Sequence, residues 1–154
     1  MAPNFDWTNS ALGSVSTWPA PLLAAVDRIM SSRQPALVAW GSDLIQIYNP
    51  AFIPVLRDRH PGGMGQPMAI CWHDIWDFFG PIYQSVMRTG NDVKLDDVAV
   101  PIATVDILEE RNFSIRYSAI HLPDLSVGGV IVFATETTDQ RLIKSLAKSN
   151  PPGP

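Results

Sequence analysis

The sequence predicts an α+β domain, one antiparallel sheet of five strands with helices packed on it, and three observations carry that expectation. Phe113, Ile115, Tyr117 and Ala119 alternate with Ser114, Arg116 and Ser118, the period of two expected of a strand with one buried face. After a Pro123-Asp124 turn, the opening Gly128-Gly129 leads into Val130-Ile131-Val132-Phe133, nearly all β-branched or aromatic, so the two runs should pair as a central hairpin. A second hairpin is written in Ala36 to Trp40 and Leu44 to Tyr48, which flank Gly41-Ser42-Asp43.

Residues 1 to 18 show little periodicity but carry Trp7 and Trp18, which suits an extended arm anchored by aromatics. Pro19 and Pro21 fit a first helical turn, and Leu22, Leu23, Val26, Ile29 and Met30 continue as an apolar stripe. This amphipathic helix either covers the outer face of the sheet or forms a dimer contact. Beyond the first hairpin, Asn49 can cap a short helix that has Pro50 at its first position and runs through Phe52, Val55 and Leu56. Residues 57 to 67 hold too many Gly and Pro for a regular element. In the stretch from Trp72 to Gly90, Gly80-Pro81 is expected to separate a short helical turn from a longer helix that starts at Pro81 and ends at Gly90. Ile75, Phe79, Ile82 and Val86 share one face there, with Trp76 and Tyr83 beside it. Asp92 to Ala103 alternates weakly and should be a long third strand that bends near Pro101, and Thr104 to Ile107 turns it into the central hairpin. Asp139 then caps an amphipathic stretch, Gln140 to Lys148. The resulting organisation is an arm and cap helix over 1–34, a core over 35–138, and the start of a connector helix with a Pro-rich linker tail over 139–154.

Composition narrows the function classes. The chain is 154 residues long, 46% hydrophobic and 17% charged, which suits a single folded core. Its net charge of -4 arises without a basic block, so no nucleic-acid surface is expected. The single cysteine, Cys71, excludes an internal disulfide and a cysteine-based zinc site. No apolar run approaches the ~18 residues of a membrane helix, and the first residues lack the basic and apolar regions of a signal peptide, so a cytoplasmic address is expected.

Several phrases together carry a family resemblance. Glu109-Glu110, the run Phe113 to Ile120, Val127-Gly128-Gly129-Val130 and Glu136-Thr137-Thr138-Asp139 resemble the last two strands and exit of a PAS domain of the kind found in bacterial sensor histidine kinases. Tyr48-Asn49-Pro50-Ala51-Phe52 resembles that family's junction between second strand and helix, although members more often have an acidic residue where Pro50 stands. Leu12-Gly13, Trp18-Pro19, Ser32-Arg33-Gln34-Pro35, Trp40-Gly41, His60-Pro61, Ile75-Trp76, Gly80-Pro81 and Thr89-Gly90 extend the likeness, which covers Trp7 to Thr138. The resemblance implies a non-enzymatic sensory module of five strands with a helical clasp and a tethered output domain whose catalysis lies elsewhere, and a homodimer is expected through the N-terminal helix and an apolar outer sheet face. Signal would leave through Glu136, Thr137 and Thr138. The plain alternative for Glu136 is a cross-strand pair with a base such as Arg116.

Aromatics gather where clasp and sheet should meet: Trp72, Trp76, Phe79, Tyr83, Phe113 and Tyr117. They suit either a small-molecule pocket or a filled core. No cofactor is expected, and an unidentified small molecule is the candidate ligand. Flavin-binding PAS domains need Gly-x-Asn-Cys-Arg-Phe-Leu-Gln, whereas Ile70-Cys71-Trp72-His73 has other neighbours, so Cys71 reads as a small core residue. Haem-binding members use a histidine on the long helix, where none stands between Asp74 and Gly90. His73 suits a cap of the short helix and His60 a polar loop, and with His121 they form no metal triad. A phospho-acceptor histidine is expected on a helix, beside an acidic residue and ahead of a separate ATP-binding domain, and none of the three fits. Asp74, Asp77, Asp96, Asp97, Glu109 and Glu110 offer material for an acid/base pair. A cone-shaped isomerase or dehydratase is therefore the enzymatic alternative, opposed by the inward Phe113, Ile115 and Tyr117, which supply no titrating carboxylate or imidazole.

Overall fold

The structure, a computed structural model, describes residues 6–103 and 108–137. Five strands, β1 (Ala36–Trp40), β2 (Ile45–Tyr48), β3 (Val93–Ala103), β4 (Leu108–His121) and β5 (Val127–Glu136), form one sheet in the order β2-β1-β5-β4-β3. Every neighbouring pair is antiparallel. The α+β architecture and both expected hairpins are therefore present. The turn at 104–107, Thr138 and the connector stretch from Asp139 lie outside the described residues.

Both faces of the sheet are covered, not one. Helix α1 (Ala20–Met30) lies on the outer face, where Leu22, Val26 and Ile29 meet Val38, Ile47 and Ile131. Trp7 and Trp18 complete this layer, their rings edge to face with centroids 5.0 Å apart. The arm is thus part of the core, since its two buried indoles extend the apolar layer that α1 begins. The other face carries α2 (Ile53–Leu56), α3 (Met68–Cys71) and α4 (Trp76–Thr89), with the second apolar cluster between them and the sheet.

Asn49 ties the two layers at the end of β2. Fully buried, its Oδ1 accepts from the amides of Ala36 and Phe52, while Nδ2 donates to the carbonyls of Ile29 and Gln34. The expected cap is present, on a single 3-10 turn (Pro50–Phe52) that precedes α2. One amide thereby serves the end of α1, the start of β1 and the start of the clasp.

Two local expectations fail. Helix α4 runs unbroken through Gly80-Pro81, with Pro81 inside it. The proline lies near the helix start on its exposed side, where the one carbonyl it leaves unpaired, that of Asp77, can bond water. Gly80 does not break the helix but admits a neighbour, for the indole of Trp76 lies 2.8 Å from where a Cβ would stand. Strand β3 does not bend at Pro101, which keeps regular register opposite Glu110 on the sheet edge. Its irregularity falls between Leu95 and Val98, where Asp97 takes a φ of 51°.

Candidate functional site

The candidate site lies between clasp and sheet. On β4 the alternation sends Phe113, Ile115 and Tyr117 toward the clasp, and Leu37 of β1 and Val132 and Ala134 of β5 lie beside them. Phe52, Val55, Met68, Trp72, Ile75, Phe79 and Tyr83 close the opposite wall. A cavity of about 60 Å3 remains among them. Trp72, Phe79, Tyr83, Phe113 and Tyr117 line it, whereas Trp76 lies outside and stacks on Tyr83 at 5.6 Å. A side chain one position round the helix from the inward face supports the wall without reaching the cavity.

The wall is almost wholly apolar. Its polar side-chain groups are the indole N–H of Trp72 and the hydroxyls of Tyr83 and Tyr117. Trp72 Nε1 donates to Oε1 of the buried Gln46 at 2.9 Å, and Gln46 Nε2 donates to the Gly63 carbonyl at 2.8 Å. Arg59 lies over the Trp72 ring and pairs with Asp74 at 2.7 Å, so this part of the wall is fixed from behind. The rings of Tyr83 and Tyr117 meet edge to face with centroids 5.3 Å apart. Burial pushes both phenols well above their ordinary pKa, so each keeps its proton at neutral pH.

Beside the cavity is a cation that the motif reading passed over. Arg111 occupies the inward phase of β4 with Phe113, Ile115 and Tyr117, and its side chain is only 5% exposed. Its Nε donates to Glu136 Oε2 at 2.8 Å and its Nη2 to Oε1 at 2.5 Å, while Nη1 donates to the Pro54 carbonyl in α2 at 3.0 Å. Glu136 therefore pairs with Arg111 and not Arg116, which faces Phe133 across the ladder, three residues up β5 from Glu136. A charged residue in phase with an apolar face was the sequence signal for it. The next residue is anchored too: Thr137 donates its hydroxyl to Asp97 Oδ1 at 2.6 Å and its amide to the Asn112 carbonyl at 2.7 Å. Thr138 lies outside the described residues.

The remaining candidates lie apart. His60 Nδ1 is 2.6 Å from the Tyr48 hydroxyl, whose pKa burial pushes up to about 12, and His121 is exposed. His73 is exposed and caps nothing, because Ile75 precedes α4 and contributes no side-chain cap. Cys71 is buried and burial raises its thiol pKa, which disfavours a reactive thiolate. Asp77, Asp96 and Glu110 are exposed. Among the described residues no three His, Cys, Asp or Glu side chains are grouped to hold a metal, and no helix is long and apolar enough to cross a membrane. The outer sheet face is apolar only where α1 covers it. Beyond α1, Lys94 and Arg116 are exposed beside Phe133, whose ring lies under Arg28 at 5.0 Å.

No protein-family model matches the sequence, and no curated protein matches it as a relative. Solved structures do match. The phage VqmA–DPO complex aligns at a TM-score of 0.61 with 16% identity over 85% of this chain and 60% of its own. An RNA-binding light-oxygen-voltage receptor aligns at 0.57 with 16% identity over 88% of this chain and 39% of its own. The PAS domain of a protein from Colwellia psychrerythraea aligns at 0.56 with 10% identity over 77% of this chain and 98% of its own. The chain thus spans less than two thirds of the first two structures and nearly the whole of the third.

Proposed function

This chain has the PAS fold, and from that premise we propose that it is a sensory module whose cavity takes a small ligand and whose exit strand reports the occupancy to a tethered output domain. The sequence resemblance puts that output in a histidine kinase. One observation carries the reading: Arg111 joins the cavity wall to the exit. Its guanidinium holds the carbonyl of Pro54, next to the wall residue Val55, and the carboxylate of Glu136, two residues beyond the wall residue Ala134. A ligand that moves α2 relative to the sheet must change this three-way contact. A ligand bound equally well before and after that change would transmit nothing.

The cavity wall includes no carboxylate or histidine among the described residues, which supports binding over the isomerase or dehydratase alternative. Its volume is far below the roughly 300–1,000 Å3 of drug-sized sites, which supports a ligand smaller than flavin or haem. Pairing with a second copy through the N-terminal helix belongs to the same proposal, because the uncovered sheet face is charged at Lys94 and Arg116.

The test has two steps. The purified chain is first denatured, its visible absorption recorded and any released molecule identified by mass spectrometry; we expect a colourless protein and a small organic molecule. Hydrogen exchange of Ala134 to Thr137 is then compared with and without that molecule, and we expect slower exchange when it is bound. A visible band from haem or flavin, or exchange indifferent to occupancy, would sink the proposal. Sedimentation of the full chain should show a dimer.

A further inference from the structure

Two groups in the cavity wall are not explained by packing. Tyr83 on α4 is 3% exposed and Tyr117 on β4 is 1% exposed, yet neither hydroxyl has a hydrogen-bond partner among the described residues. Buried hydroxyls are paired in most proteins, and one left unpaired is destabilising. Other polar side chains near the cavity are paired. Tyr48, the third tyrosine, has its hydroxyl 2.6 Å from His60 Nδ1, and the Trp72 indole reaches Gln46. The two hydroxyls without a bond to a described residue both belong to side chains of the cavity wall. Both phenols keep their protons at neutral pH, so both can donate.

We infer that the cavity takes a neutral, mostly apolar molecule carrying a hydrogen-bond acceptor, a carbonyl oxygen or an unprotonated ring nitrogen, which receives the hydroxyl of Tyr83, Tyr117 or both. This deepens the proposed function and rests on it. A charged ligand is opposed by the wall, which among the described residues includes no charged side chain to compensate an ion's lost hydration. A pure hydrocarbon would leave both hydroxyls unpaired. The competing occupant is water: at ~10–15 Å3 of such volume per molecule, about 60 Å3 has room for a few.

The test compares two probes of one shape, cyclopentanone and methylenecyclopentane, in which a carbonyl oxygen is exchanged for a CH2 group. Each is titrated calorimetrically into the full chain and into Tyr83→Phe, Tyr117→Phe and the double variant. At the usual net value of a neutral hydrogen bond, the wild type should prefer the ketone by about 2- to 13-fold for each hydroxyl engaged. The double variant should lose that preference and bind the hydrocarbon at least as well as the wild type. Because phenylalanine removes only unpaired hydroxyls, the variants should melt no lower than the wild type. Equal affinity for the two probes, or a ketone preference that survives in the double variant, overturns the inference while the pocket stands. Binding of neither probe at its solubility limit overturns the pocket as well. A lower melting temperature in the double variant, the mark of hydroxyls already satisfied by trapped water, overturns the inference alone.

Discussion

Arg111 illustrates how much a single buried cation depends on its partners. With its side chain 5% exposed and three of its donors engaged, its truncation removes hydrogen bonds from the Pro54 carbonyl and the Glu136 carboxylate. Arg111→Ala should cost about 2–4 kcal/mol in urea unfolding, on the scale of a broken buried pair. Glu136 is 35% exposed, so water replaces much of what Glu136→Gln removes and the cost should be nearer ~1 kcal/mol. Asn49→Ala should rank with Arg111→Ala, since its amide bonds the backbone of Ala36, Phe52, Ile29 and Gln34 and all four bonds are lost at once. The cavity tyrosines give a pH signature of definite sign. Folding raises the pKa of Tyr83 and Tyr117, while in the unfolded chain phenols titrate near ~10. The folded state then holds more protons above that pH, so stability is full below about pH 10 and falls above it, by up to about 1.4 kcal/mol per pH unit for each tyrosine. Urea midpoints at about pH 9 and about pH 11 should diverge for the wild type and much less for the Tyr83→Phe/Tyr117→Phe double variant.

Among the elements, α4 gives two adjacent substitutions of opposite sign. Gly80→Ala would ordinarily gain about 1 kcal/mol of helix propensity, but its Cβ would stand 2.8 Å from the Trp76 indole, and we expect a net loss of about 1–2 kcal/mol. Pro81→Ala restores an N–H within the helix and should raise stability by about 1–3 kcal/mol, read as a shift in thermal midpoint. The same dipeptide shows where local reading stops. Gly-Pro signals a break when only chain-local preferences are weighed, yet here Gly80 answers to a tryptophan four residues earlier, and Pro81 falls where water can serve the orphaned carbonyl. The hairpins were legible because period-two alternation and turn residues reflect burial and turn geometry directly. Asn49 with Pro50 was legible because a cap is a contact within four residues. The partner of Glu136 was not, because adjacency on paired strands depends on a register that no single strand reveals. Nor was the irregularity at Asp97, whose setting becomes clear only with Ser114 and Thr137 beside it. The aromatics of the clasp could be gathered from sequence, but which of them turn inward depends on the azimuth of α4, and that placed Trp76 outside.

For the whole molecule, the sheet is a middle layer with a cluster on each face. The outer cluster depends on the N-terminal arm, whose Trp7 and Trp18 are 4% and 5% exposed. Trp18→Ala should cost about 3–5 kcal/mol, and a chain lacking residues 1–30 should expose Val38, Ile47 and Ile131 and self-associate, which light scattering would register. Close approach fixes the middle of the sheet as well. A Cβ on Gly129 would stand 2.6 Å from the Ala39 carbonyl, so β1 and β5 tolerate no side chain there. That pairing also sets a timetable. Ala36 of β1 meets Phe133 of β5, a partner made almost a hundred residues later. At ~5–20 residues per second on the ribosome, β1 waits about 5–20 s with one hydrogen-bonding edge bare. Its apolar residues Leu37, Val38 and Ala39 then form an adhesive edge on the unfinished chain, and ribosomes stalled before β5 should release a product that aggregates more readily than the complete domain.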